Sequence, residues 1–126
     1  MAQVATDRRE PAAANAMDLA ALDRGQLARM TFGDRSLERE LLELFDRQAT
    51  MLVTRMRAGG AATVAPLAHT LKGSASGIGA AGVARAAEAA ERAAGAAPSE
   101  CSAAVDRLAL AVGEARALIA ELLREG

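Results

Sequence analysis

The feature that most limits how this chain can fold is a run of apolar residues near its C-terminus, spaced alternately three and four positions apart. The run comprises Val105, Leu108, Val112, Ala115, Ile119 and Leu122. Such spacing puts all its members on one side of an α-helix and is typical of helices that pack side by side at crossing angles of about +20°. Pro98 suits the first helical turn, where a backbone N–H would have no acceptor. The C-terminal part of the chain is therefore predicted to be one long amphipathic helix.

Other segments show helical spacing too, and glycines separate them. Residues 37–57 form an amphipathic pattern whose predicted core face is Leu37, Leu41, Leu44, Phe45, Leu52 and Met56. The segment from Thr63 to about Ala80 is predicted to bury Val64, Leu67, Ala68, Leu71, Ala75 and Ile78. Residues 83–94 are mostly alanine, which favours a helix packed closely on the one before, with Gly82 in a tight junction between them. Asp23 is expected to cap a short helix that ends near Met30.

Composition favours the same architecture. Among 126 residues there are two Phe, no Trp and no Tyr, so the aromatic residues that strands prefer are scarce. The predicted fold is all-α: an antiparallel up-down four-helix bundle with a short N-terminal accessory helix, because short connections favour antiparallel neighbours. Residues 1–16 lack bulky periodic positions and are predicted to form a disordered tail, and residues 17–126 the bundle domain.

Several classes of function find no support in the sequence. A formal net charge of −1 and the lack of aromatic platforms argue against nucleic-acid binding. One cysteine and one histidine make no metal-ligand cluster, and no run of 18 apolar residues indicates a membrane span. We therefore expect a cytoplasmic protein without a cofactor. A single chain has enough helices to close its own bundle, which favours a monomer.

The only histidine, His69, lies within the third predicted helix. Placed on that helix, it points away from the apolar face, and Lys72, Gly73 and Ser76 share its side at i+3, i+4 and i+7. Imidazole is a competent nucleophile at neutral pH. A lysine one turn away can attract a phosphoryl group, Gly73 removes bulk where a partner would press, and Ser76 can donate a hydrogen bond. The pattern indicates a reactive histidine that another protein can reach.

The stretch from His69 to Ala75, followed by Ile78-Gly79-Ala80, resembles the signature of histidine-containing phosphotransfer (HPt) domains of multistep phosphorelays. The resemblance implies that His69 accepts a phosphoryl group, that Lys72 steadies it and that Gly73 leaves room for a receiver domain. It also matches Glu91, 22 residues further on, to a polar position that contacts the imidazole from the next helix. Gly77 departs from the family pattern, which often has Asn, Ser or Thr there.

The resemblance implies a stoichiometric phosphoryl carrier rather than an enzyme. Its implied partners are response-regulator receiver domains, which supply Mg²⁺, and a hybrid histidine kinase. The sequence itself contains no GxxxxGK[ST] loop and no kinase-type catalytic segment. Two alternatives remain open: a helical interaction module in which His69 has no chemical role, and a dimeric bundle derived from a histidine kinase. A hydrolase with His69 as general base is disfavoured, because it would need a pocket and an orienting group.

Overall fold

The computed structural model describes residues 21–125, and within that range every regular element is an α-helix. The helices are α1 (Arg24–Met30), α2 (Arg35–Gly59), α3 (Ala61–Ile78), α4 (Ala81–Ala93) and α5 (Pro98–Glu125). The all-α prediction is confirmed for this range, whereas the predicted tail at 1–16 lies outside it. No helix among the described residues is long and apolar enough to cross a membrane.

The helices enclose one hydrophobic core. α3 packs against α2 on one side and α4 on the other, and α5 packs against α2 and α4. The predicted apolar positions of α5 are buried from Val105 to Ile119, with Leu122 partly buried. In α4 the buried residues are Val83, Ala87 and Ala90, small enough for the backbones of α3 and α4 to approach closely. This close approach lets side chains of α3 and α4 contact each other at the surface, outside the core.

The rotation of α2 differs from the sequence prediction. Leu37 and Leu44, predicted in the core, are 38% and 53% exposed. Phe45, Leu52 and Met56 are buried as predicted, and the remaining buried positions are Leu42, Ala49 and Val53. Both sets have helical spacing, so periodicity could not choose between them; the choice depends on how α2 meets its neighbours.

The connection between α3 and α4 also differs from the prediction. The chain turns at Gly79, which adopts φ of +86°, and Ala80 N–H donates to the carbonyl of Ala75 at 2.8 Å. Gly82, predicted in the junction, lies inside α4. A left-handed glycine is the common way to end a helix, because it has no Cβ to clash.

α3 begins two residues earlier than predicted, at Ala61. Pro66 is therefore in the second turn of the helix, and His69 is in the third. The helix tolerates Pro66 on its exposed side, where the carbonyl that loses its helical donor can bind water.

α1 lies against the C-terminal end of α3. Asp23 caps α1 by accepting from Gln26 N–H at 3.1 Å, as predicted, and its own N–H donates to the Gly79 carbonyl at 2.7 Å. The Gln26 side chain donates to the Ser76 carbonyl at 2.6 Å. These bonds attach α1, the accessory helix, beside the C-terminal half of α3, the helix that carries His69.

Candidate functional site

His69 stands on the outer face of α3, as the sequence predicts. Its neighbours Ala68 and Leu71 are fully buried, which turns the residues between them outward, and the imidazole is 67% exposed. The packing of α3 on α2 and α4 therefore presents this side chain to solvent.

One carboxylate on α4 contacts two side chains of α3. Glu91 Oε2 lies 3.0 Å from His69 Nδ1, and Glu91 Oε1 lies 3.2 Å from Lys72 Nζ. Glu91 and Lys72 are each about two-thirds buried, whereas the histidine that they flank is 67% exposed. The close packing of the alanines below brings these three residues together across the two helices.

Lys72 favours the ionised form of the Glu91 carboxyl. The hydrogen bond from Lys72 is the largest influence and lowers the pKa of Glu91, partial burial opposes this, and the bond to His69 lowers the pKa further. An ionised carboxylate can only accept hydrogen bonds, so the proton between the two residues belongs to His69 Nδ1. In the neutral ring the lone pair then lies on Nε2.

The surface next to His69, Lys72 and Glu91 is open at Gly73. A Cβ built on Gly73 would meet no heavy atom within 4 Å, so the glycine is not required by internal packing. A glycine inside a helix costs about 1 kcal/mol relative to alanine, and no packing contact of the chain offsets that cost here. Gly73 thus leaves free space one turn from His69.

Ser76 is exposed but lies apart from the three grouped residues. Its contact in the structure is through its backbone carbonyl, which accepts from Gln26 of α1. The structure thus brings together His69, Lys72 and Glu91, places Gly73 beside them, and does not join Ser76 to them.

Sequence reasoning did not predict that Lys72 is already paired. The sequence analysis places Lys72 one turn from His69 without a partner, whereas its Nζ contacts Glu91 across the helix interface. The spacing of 22 residues between His69 and Glu91 carries no distance information by itself. Within residues 21–125, no three His, Cys, Asp or Glu residues are grouped so that they could hold a metal ion.

The fold and site define a class: a helical domain that presents one solvent-exposed histidine, held by a carboxylate and accompanied by a lysine. A family model of the Hpt domain matches residues 36–124, which span most of α2, all of α3 and α4, and nearly all of α5. The chain therefore belongs to the Hpt domain family, as the resemblance of its central motif implied. Comparisons with curated proteins and with solved structures find no match.

Proposed function

We propose that this chain is a phosphorelay carrier that accepts a phosphoryl group on His69 from a receiver-domain aspartate and passes it to a second receiver. Membership of the Hpt family implies a part in histidine phosphotransfer. The observation that carries the proposal is the Glu91 contact at 3.0 Å on His69 Nδ1, because it leaves the nucleophilic lone pair on the exposed side of the ring.

The transfer would begin with attack of His69 Nε2 on the phosphorus of the receiver's acyl phosphate. An N–P bond forms, the P–O bond to the aspartate breaks, and the electron pair leaves with the aspartate carboxylate. The Nδ1 proton stays on the ring, which becomes cationic, and the ionised Glu91 carboxylate beside it stabilises that charge. Discharge to a second receiver is the same step in reverse.

Lys72 would change partners during this reaction. Its ammonium lies 3.2 Å from Glu91 and one helical turn from His69, so a phosphoryl group on Nε2 is a second anion within reach of a flexible side chain. The divalent cation that balances the remaining charge would come with the receiver. This chain would contribute two groups to the transfer: a positioned nucleophile, His69, and one cation, Lys72.

The carrier needs no catalytic domain of its own, so we propose that it is not an enzyme and that receivers and a hybrid histidine kinase are its partners. A kinase-derived dimer is a less economical reading, because His69, Lys72 and Glu91 all come from one chain. We also propose that α2 to α5 run up and down in antiparallel order, as expected for neighbours joined by short connections.

The direct test is transfer of radiolabelled phosphate from phosphorylated receiver domains to the wild-type chain and to His69→Gln. The proposal predicts acid-labile, base-stable label on the wild type and none on the variant, because glutamine keeps polarity and loses the nucleophile. Label that persists in His69→Gln would assign the chemistry to another residue. A wild type that takes no label from any receiver would favour the helical interaction module.

A further inference from the structure

Glu91 brings a negative charge to a position where the resting histidine needs only a hydrogen-bond acceptor. The neutral ring of His69 donates from Nδ1 to Glu91 Oε2 at 3.0 Å, and a neutral amide oxygen would accept the same bond. The charge of the carboxylate matters most when the ring itself becomes charged. In the proposed relay this happens when Nε2 carries a phosphoryl group.

In the resting chain the carboxylate is shared between two partners. Glu91 Oε1 lies 3.2 Å from Lys72 Nζ, and the hydrogen bond from Lys72 is the first cause of the lowered pKa of Glu91. A phosphoryl group carries up to about two negative charges, and on Nε2 of His69 it would lie within reach of the flexible lysine side chain. Once the ammonium turns toward the phosphoryl group, the carboxylate is left with the N–H of the ring as its partner.

The proton on Nδ1 governs how readily the N–P bond breaks. When the proton is present, the phosphorylated ring is a cation, and the electron pair of the N–P bond returns to Nε2 as the ring leaves as neutral imidazole. Without that proton the leaving group would be an imidazolate anion, which leaves far more slowly. Phosphohistidine is labile in acid and stable in base for this reason. A group that holds the Nδ1 proton therefore promotes release of the phosphoryl group.

α4 carries four charged residues, and of these Glu91 contacts His69. Glu88 and Arg92 pair with each other at 3.6 Å, and Arg85 lines a cleft toward the N-terminus of the helix, beside α1. On α3 the one other charged residue is the lysine already paired with the Glu91 carboxylate. Among the described residues, the ion pairs of α1 and α2 all lead to α5. The charge that faces the ring from a neighbouring helix is therefore that of Glu91.

We infer that Glu91 makes the phosphoryl group on His69 labile, because its negative charge holds the Nδ1 proton on the phosphorylated ring at neutral and alkaline pH. Glu91 is thus a positioning residue that acts through the ring and does not touch the phosphorus. This inference rests on the proposed function and adds the lifetime of the phosphorylated state to it: the carrier favours rapid discharge over long storage.

The test measures how long label stays on His69 at different pH values. The wild type, Glu91→Gln and Glu88→Gln are labelled with phosphoramidate, a small phosphoryl donor that needs no receiver, and the donor is then removed. His69 is the only histidine in the chain, so acid-labile label reports on this ring alone. Loss of label is followed at a series of pH values from about 5 to about 9.

Glu88→Gln is the matched control, because it removes the same charge from the same helix. Glu88 lies about one turn before Glu91, its side chain is 53% exposed, and its ion-pair partner is Arg92 rather than His69. In Glu91→Gln the new side chain keeps an oxygen that can accept from Nδ1, so the variant removes the charge and retains an acceptor.

All three proteins should lose label equally fast in acid, where the phosphorylated ring is protonated whatever lies beside it. As the pH rises, the loss should slow in Glu91→Gln first. At about pH 8 the wild type should release its label about tenfold faster than Glu91→Gln, the ratio expected when the midpoint of the profile falls by about one pH unit. Glu88→Gln should follow the wild type across the whole series.

The inference is overturned if Glu91→Gln and the wild type have the same pH profile. A change of rate by the same factor at every pH would also overturn it, because that result indicates a structural role. An equal shift of the profile in Glu88→Gln would assign the effect to the overall charge of α4 rather than to the contact with Nδ1.

A receiver measurement separates this result from the proposed function. Labelled wild type is mixed with a panel of unphosphorylated receivers, and the label on each protein is followed. If no receiver takes label while the pH profiles differ as expected, the relay function fails and the effect of Glu91 on the ring stands. If receivers take label and the profiles coincide, the relay function stands and the inference about Glu91 fails.

Discussion

Glu91 contacts two side chains of the neighbouring helix with a single carboxylate, and this arrangement decides which nitrogen of the His69 ring carries the proton. The Lys72 hydrogen bond favours the ionised form of the carboxyl, the carboxylate accepts a hydrogen bond from Nδ1–H, and Nε2 keeps its lone pair. The sequence could predict that His69 faces solvent and that Lys72 lies one turn away, because both follow from helical geometry. It could not predict the Lys72–Glu91 pair, which depends on how closely two helices approach.

The lowered pKa of Glu91 makes a prediction about stability and pH. Its pKa falls below the ordinary value of 4.5 chiefly because of the Lys72 hydrogen bond, so the carboxylate stabilises the fold above pH 4.5. That contribution is lost as the pH falls through the lower pKa of the folded state. Glu91→Gln should therefore melt below the wild type at neutral pH, and the difference should shrink in acid.

Circular dichroism melts of both proteins at a series of pH values from 7 to about 3 would measure this difference. A difference in melting temperature that stays constant across the series would mean that the charge of Glu91 contributes nothing to stability. Glutamine retains an oxygen that can accept from Nδ1, so the comparison isolates the charge from the hydrogen bond.

At the scale of one helix, α2 shows where sequence periodicity stops being informative. Overlapping sets of its apolar residues fit a 3.6-residue repeat. The predicted face combined Leu37 and Leu44 with Phe45, Leu52 and Met56, whereas the core keeps those last three and adds Leu42, Ala49 and Val53. Contacts with α5 at Arg39 and Asp46 accompany the observed rotation, and they join residues 84 and 70 positions apart. In α3 and α5 only one apolar stripe is present, and there the predictions were confirmed.

The rotation of α2 can be checked with two neighbouring leucines. Leu42→Ala should destabilise the fold by about 2–5 kcal/mol, because Leu42 is 2% exposed and its removal leaves a cavity. Leu44→Ala should change stability by no more than about 0.5 kcal/mol, because that side chain already meets solvent. Urea unfolding of the two variants beside the wild type gives both values. The reverse order would return α2 to the rotation that the sequence suggested.

For the whole molecule, the helices form a scaffold that places the His69 ring on an open face. Chain composition predicted the all-α class, and the glycines between segments predicted most of the helix boundaries. Both features depend on local conformational preferences. The attachment of α1 to α3 through Gln26 and Asp23 was not predictable, since it joins residues about 50 positions apart.

A carrier must return to its starting state after each cycle, so the most direct measurement is a phosphoryl chase. The chain is labelled by one receiver, purified and mixed with a second, unphosphorylated receiver, and the label on each protein is followed in time. The account predicts at most one phosphoryl group per chain and its loss from the chain as the second receiver gains it, with no label on His69→Gln. Label that stays on the chain in the presence of every receiver, or that remains on the variant, would contradict the claim that His69 is a phosphoryl carrier.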